Sequence, residues 1–199
     1  MDTECEDEKI RGAIQRKYAD ISRSAAGKFN YVTGLEGARA LNYDASVLSR
    51  IPNELMRSFC GVGNPFLAGP IGEGESLLDV GCGSGIDLIV AGHYIGGTGR
   101  IRGIDMTPEM VRLARENASS LGLNNVEVRE GAAEAIPYED GAFDIVISNG
   151  VLNLSTRKDL AFREIFRVLV PGGRLQFADI VLEGDGAARR PCTLEAWSD

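Results

Sequence analysis

Leu77-Leu78-Asp79-Val80-Gly81-Cys82-Gly83-Ser84-Gly85-Ile86 is the stretch whose reading decides the fold. A short apolar run ends in a loop with glycine at three alternate positions, and Ile86 to Tyr94 then continues with a helical texture. A strand that passes through a glycine turn into a helix opens a βαβ unit, and glycine there lets a bound cofactor approach the backbone. Asp105 stands 20 residues beyond Gly85, at the end of a second strand predicted over Arg100 to Asp105, where a carboxylate can accept both hydroxyls of a ribose. A dinucleotide fingerprint reads G-x-G-x-x-G and would require glycine where Ile86 stands. The spacing is instead D-x-G-x-G-x-G, a shorter loop that suits a cofactor with an amino-acid end and no pyrophosphate.

Downstream, short apolar runs alternate with helical ones. Thr107-Pro108-Glu109 opens a helix, with Thr107 as N-cap and Pro108 at its first position, and Gly122 closes it. Val126 to Arg129 and Ala142 to Ser148 read as strands three and four. Lys158 to Leu169 reads as a helix closed by Pro171-Gly172-Gly173, and Arg174 to Val181 as strand five. Such alternation describes a doubly wound, mostly parallel sheet with helices on both faces. Upstream the texture is helical. Glu8 to Ser24 carries Ile10, Ala13, Ile14, Tyr18 and Ile21 near i, i+3, i+4 spacing. Ala45 to Arg50 and Asn53 to Phe59 are short helices, and Gly61 to Pro65 is a tight loop. The expected organisation is a helical N-terminal cap over 1–70, a core over 71–182 and a short tail over 183–199.

The 199 residues carry 29 acidic and 21 basic side chains, a formal net charge of −8. An acidic balance opposes nonspecific nucleic-acid binding, which rests on Lys and Arg against phosphate, and docking on an anionic membrane. No apolar run approaches the ~20 residues of a membrane span. No secretory signal is visible at the start, so a reducing, cytoplasmic location is expected. Cys5, Cys60, Cys82 and Cys192 lie far apart with no C-x-x-C pair, which predicts free thiols and no metal site.

On these motifs the chain resembles the class I S-adenosylmethionine-dependent methyltransferases, a Rossmann-like family. The landmarks are the Asp79–Gly85 loop, Asp105 with Met106, Gly131-Ala132-Ala133-Glu134 after strand three, Asp144 to Ser148 on strand four, and Leu169-Val170-Pro171-Gly172-Gly173-Arg174. The resemblance implies S-adenosyl-L-methionine as cofactor. Gly81 and Gly83 would lie beneath it with Cys82 beside it, Asp105 would hold the ribose, and Asp79 would orient the methionine end. Met106 would pack on the adenine face, and Ala132, Ala133 and Glu134 would line its edge. Many relatives carry a carboxylate where Ala132 stands, so one hydrogen bond to the adenine amino group, worth ~1 kcal/mol, must come from backbone or be missing.

A narrower resemblance is to the arsenite methyltransferases. It rests on Leu41-Asn42-Tyr43, Gly61 to Pro65, Asp105-Met106-Thr107-Pro108-Glu109-Met110, Ser148 to Leu154 and Phe177 to Leu182. That family binds trivalent arsenic through thiolates, by softness matching. Its cap-loop and strand-four cysteines are Val62 and Gly150 here, neither of which can ligate. Arsenite methylation would need a rearranged set of thiols that includes Cys60, and Cys60 is otherwise a buried small hydrophobe.

Asn149 and Asn153 flank the end of strand four, where open parallel sheets bind ligands. Both are candidate site residues, Asn149 toward the cofactor and Asn153, with Cys60, toward the acceptor; the alternative for the asparagines is turn capping. Tyr18 and Tyr31 either close over the cofactor or pack in the core. His93 falls on the helix after the glycine loop, away from the site. The function implied is methyl transfer to a small-molecule acceptor by in-line displacement, which needs positioning more than an acid or base. The alternatives are arsenite methylation and a cofactor-binding protein without turnover. The family's sheet adds an antiparallel hairpin after strand five, for which the tail offers no strand pattern. That predicts an unprotected sheet edge, at strand five or strand four beside it, covered either by the tail or by a second subunit in a homodimer.

Overall fold

The computed structural model describes residues 3–181, with side chains from residue 7 onward. The side chain of Cys5, and Cys192, Trp197 and the tail 183–199, lie outside them. Five strands form one sheet in the order β3-β2-β1-β4-β5. They are β1 (Ser76–Val80), β2 (Arg100–Asp105), β3 (Val126–Glu130), β4 (Phe143–Asn149) and β5 (Leu169–Ala178). Every pairing is parallel.

Alternation along the strands builds two apolar layers, because successive side chains leave a strand on opposite faces. Leu77, Ile101, Val128, Ile145 and Ile147 pack with Leu88, Ala91, Val111 and Ala114 from α5 (Ile86–Ile95) and α6 (Pro108–Ser120). Leu78, Val80, Ile104 and Val146 pack with Ala161, Ile165 and Val168 of α7 (Lys158–Val168). Central β1 is buried along its whole length. The strand order reverses between β1 and β4, and the crevice beyond their C-terminal ends is where such sheets bind ligands.

The N-terminal third comprises α1 (Thr3–Ile21), α2 (Gly34–Ala40), α3 (Ala45–Leu48) and α4 (Asn53–Met56). Ala38, Tyr43, Val47, Leu48, Ile51, Met56 and Phe59 form a layer against Ile86, Ile89 and Val90. The segments from α2 to α4 therefore rest on the outer side of α5, whereas α1 packs on α6 through Ile21 and Met110 and borders the crevice.

Strand five corrects the expectation. It begins at Leu169, and the Pro171-Gly172-Gly173 run lies inside it. Phe143 pairs with Leu169 but Ile145 pairs with Arg174, so residues 170–173 bulge out of register. Proline supplies no N–H to a ladder, and Gly172 takes a left-handed φ of 84°, so the run makes a bulge where a helix stop was read. The strand ends at Ala178, not Val181. Short α2 and two 3₁₀ turns, Pro65–Ala68 and Leu152–Leu154, were not expected. Thr107 and Pro108 open α6 as expected, but the Thr107 side chain makes no capping bond. Among the described residues the sheet ends at β5, without an antiparallel hairpin.

Candidate active site

Two adjoining clefts open at the β1/β4 switch. The larger, about 800 Å³, runs from Gly81 and Gly83 past Asp105, Met106 and the Gly131–Glu134 turn, with Arg11, Ile14 and Tyr18 of α1 above it. The smaller, about 350 Å³, is lined by Asp79, Asp87, Ser58 and the Phe59–Gly61 segment. Cys60, Gly81, Gly83 and Asn149 border both.

The three loop glycines serve different ends. At Gly81 (φ 76°) a Cβ would lie 2.4 Å from Val151 Cγ2, so the loop is pressed against the segment after β4. At Gly85 (φ 80°) a Cβ would lie 3.1 Å from Ala114 Cβ, so this glycine serves the approach of α6. At Gly83 (φ 52°) a Cβ would meet no protein atom within 4 Å, so the space above it belongs to the cleft. That is a cradle only a ligand fills, and it fits the cofactor expected there.

Asp105 is held rigidly. Its Oδ2 accepts the Gly83 N–H at 2.9 Å and its Oδ1 the Thr107 N–H at 2.8 Å. Each oxygen keeps a lone pair for a further hydroxyl donor. Asp79, at the end of β1, is 2% exposed, and among the described residues no hydrogen-bond donor reaches its carboxyl. Burial, then the charges of Asp87 and Asp105, push that carboxyl well above the usual carboxylate range. Burial also raises Asp105, and it raises Asp87 to about 6 although Tyr43 and Asn149 hydrogen-bond it. Two carboxyls on the smaller cleft and Asp105 on the adjoining one, all disfavoured as anions, are fitted to a cation, such as an α-ammonium group beside a sulfonium.

The remaining candidates divide. Met106 borders the larger cleft, and its carbonyl accepts Gln15 Nε2 of α1 at 2.8 Å. Ala132, Ala133 and Glu134 border it too, with Glu134 paired to Arg11 at 3.1 Å and bonded by the Ser155 hydroxyl. Neither Arg11 nor Ser155 was singled out from the sequence. Cys82 borders the smaller cleft but presses its sulfur toward Gly103 of β2, where a Cβ would stand 2.9 Å away. Cys60 borders both clefts as a thiol that burial pushes up to about 12. Tyr18 lines the larger cleft, whereas the Tyr31 hydroxyl donates to the Cys60 carbonyl at 2.9 Å. Asn153 borders neither cleft: its backbone N–H donates to Asp179 Oδ2 at 2.9 Å within the 3₁₀ turn, while its own Oδ1 is buried without a partner and caps nothing. His93 stacks edgewise on Tyr94 of the outer α5 face. No cluster of metal-ligating side chains exists among the described residues.

Val62 and Gly150, the two positions that the narrower resemblance equips with thiols, face each other. A Cβ at Gly150 would lie 3.2 Å from Val62 Cγ1, and Gly150 has a left-handed φ of 72°.

A parallel 3-2-1-4-5 sheet, a glycine cradle and a pinned acid after β2 define a Rossmann-like S-adenosylmethionine-dependent methyltransferase. Residues 71–197 match the family model described as a methyltransferase domain, and the chain belongs to that family. It is 34% identical over 188 residues to an arsenite methyltransferase of Halobacterium salinarum, covering 87% of this chain and 48% of that protein. It is 37% identical over 116 residues to the ubiquinone/menaquinone biosynthesis C-methyltransferase UbiE of Klebsiella pneumoniae, covering 56% and 46%. Among solved structures, an arsenic(III) S-adenosylmethionine methyltransferase from Chlamydomonas reinhardtii superposes with TM-score 0.57 at 36% identity, covering 71% of this chain and 48% of that one. The chain spans about half the length of the curated relatives it matches.

Proposed function

We propose that this chain transfers a methyl group from S-adenosylmethionine to a small organic nucleophile by in-line displacement. The supporting observation is the pair of clefts that meet at Cys60, Gly81, Gly83 and Asn149. The cofactor supplies an electrophilic methyl on a sulfonium. In this reading Asp105 orients the ribose hydroxyls, Met106 packs on the adenine, and the Ala132–Glu134 turn borders its edge. Asp79 accepts the ammonium, and the bare Gly83 backbone gives the reacting sulfur its floor. The chain's contribution is positioning and exclusion of water, which supply much of the barrier reduction in such a displacement.

Arsenite is the second reading, favoured by the names of the relatives and by Cys60 at the junction. Against it, ligation needs a thiolate, burial keeps Cys60 protonated, and Val62 meets Gly150 where paired sulfurs are required. The division into cap, core and tail belongs to the same proposal. So does a cytoplasmic protein acting without nucleic acid, for which the free thiols of Cys60 and Cys82 are suited. No described helix is long and apolar enough to cross a membrane. A homodimer through β5 also belongs to it, because Phe177 of that strand and Phe162 beside it stand exposed. Light scattering that reports a monomer would remove the dimer.

Calorimetry with S-adenosylmethionine comes first, then product assay with arsenite plus glutathione and with a panel of small thiols, amines and phenols. Micromolar binding and a methylated organic product are expected. No binding refutes the proposal, a methylarsenical product alone selects the second reading, and binding without any product makes the chain a cofactor-binding protein.

A further inference from the structure

The carboxamide of Asn149 joins three segments that are far apart in the chain. Its Oδ1 accepts the N–H groups of Val62 and Gly63 at 2.9 and 3.2 Å. Its Nδ2 faces the Gly63 carbonyl at 2.9 Å, Tyr43 Oη at 3.0 Å and Asp87 Oδ2 at 3.1 Å. Tyr43 in turn donates to Asp87 Oδ1 at 2.7 Å. A carboxamide has two acceptor lone pairs and two N–H donors. Both lone pairs are engaged and both hydrogens have protein acceptors, so the side chain has no polar capacity left for a cofactor or an acceptor. The cap loop also closes down on it, since a Cβ at Gly61 would stand 2.5 Å from Nδ2.

We infer that Asn149 is a positioning residue: it fastens the Gly61–Gly63 loop to the C-terminal end of β4 and to Asp87 of α5, and so fixes the wall of the transfer point. It acts through the loop, because Val62, once fastened, packs on Gly150, and Cys60 is drawn to the junction of the clefts. The importance of this role for turnover rests on the methyltransferase reading, whereas the fastening itself does not.

The chemistry supplies a test with its own signature. In Asn149→Asp an ionised carboxylate has no donor for Asp87 or the Gly63 carbonyl and is repelled by both, so it is driven out of the position from which Oδ1 accepts the Val62 and Gly63 N–H groups. Protonation restores one donor. The ionisable groups around the position are Asp87 of α5 and Tyr43 in contact, with Asp79 of β1 and Cys60 along the smaller cleft and Asp105 of β2 along the larger, and the three aspartates all oppose a further anion. Fastening in this variant is therefore expected at pH 5 and lost at pH 8.

Amide exchange read by NMR as protection factors follows Val62 and Gly63, with Leu78 and Ile145 in the sheet as internal references. In Asn149→Ala the protection of Val62 and Gly63 falls at least about fivefold, the loss of one ordinary hydrogen bond, while the references hold. Asn149→Asp matches the parent chain at pH 5 and the alanine variant at pH 8, and it carries the test alone if the alanine variant does not fold. S-adenosylhomocysteine binding to Asn149→Asp at pH 5 stays within about threefold of the parent. Unchanged protection at pH 8 in Asn149→Asp overturns the inference, as does a loss of S-adenosylhomocysteine affinity with protection retained. A parent chain that fails to bind S-adenosylhomocysteine overturns the methyltransferase reading and leaves the fastening to be judged on protection alone.

Discussion

Gly81→Ala and Gly83→Ala place the same methyl group two residues apart, and the structure predicts opposite consequences. Both positions have a left-handed φ, so alanine costs the backbone ~1–2 kcal/mol at either. At Gly83 the new Cβ meets no protein atom within 4 Å, so the backbone cost is the whole cost. Melting is expected to fall by roughly 2–8 °C for a chain of this size. The methyl stands in the floor of the cleft, and forcing a ligand over it costs ~1–3 kcal/mol. S-adenosylhomocysteine affinity therefore drops about 5- to 150-fold. At Gly81 the Cβ would sit 2.4 Å from Val151 Cγ2, so overpacking adds to the backbone cost. The sum, ~2–5 kcal/mol, lowers melting by roughly 4–20 °C. Differential scanning calorimetry gives the stabilities and isothermal titration the affinities. A Gly83→Ala chain that binds S-adenosylhomocysteine like the parent would refute the assignment of the cleft floor.

Three other outcomes are expected. Burial raises Asp87 to about 6, so the folded protein holds more protons than the unfolded chain as pH rises past ~4, and the stability this gives is lost through pH 6. Melting of the ligand-free protein should decline from pH 5 to pH 7.5, and a rise over that interval would contradict the buried acid cluster. Arg174 grips both Glu75 oxygens at 2.7 and 2.8 Å and ties β5 to the entry of β1; Arg174→Ala should lower the urea midpoint by the equivalent of ~1–2 kcal/mol without altering S-adenosylhomocysteine affinity. Cys60, raised by burial, should alkylate with iodoacetamide at pH 8 at least about a hundredfold more slowly than glutathione, read by peptide mapping; equal rates would show that the thiol is open to solvent.

What was legible in the sequence was what local chemistry dictates. The β1 loop, β2, the Thr107-Pro108 helix start and α7 follow from apolar period, glycine spacing and proline preference, and they stand within a residue or two of expectation. Strand five was misread at Pro171-Gly172-Gly173 because a turn signal is the same whether it ends a helix or bulges a strand. Asp79, Gly83 and Asp105 were legible because a motif fixes their spacing. Asn149 was visible as a position but not as a role, since its partners lie 86 and 87 residues away in the cap loop. Asp87 carried no signal, because an aspartate early in a helix reads as a dipole partner, and Tyr43 stood in the Leu41-Asn42-Tyr43 motif with no polar role attached to it. Only their 2.7 Å contact reveals a polar node.

The two borders of the sheet are unlike. On β3 the outermost strand shows Glu127, Arg129 and Glu130 to solvent, with Arg129 and Arg102 both paired to Glu127. A foreign strand laid along that border would have to strip water from those charges, so the border refuses company without being covered. On β5, among the described residues, the guarding is confined to one end, where Pro171 and the bulge interrupt the ladder, while Phe177, 46% exposed, lies at the other beside Phe162. Growth of this sheet by any added strand therefore has a built-in polarity, starting from the Phe177 end of β5 and never from β3. Charged substitutions at Phe162 or Phe177 are consequently the changes that would make both borders equally inhospitable.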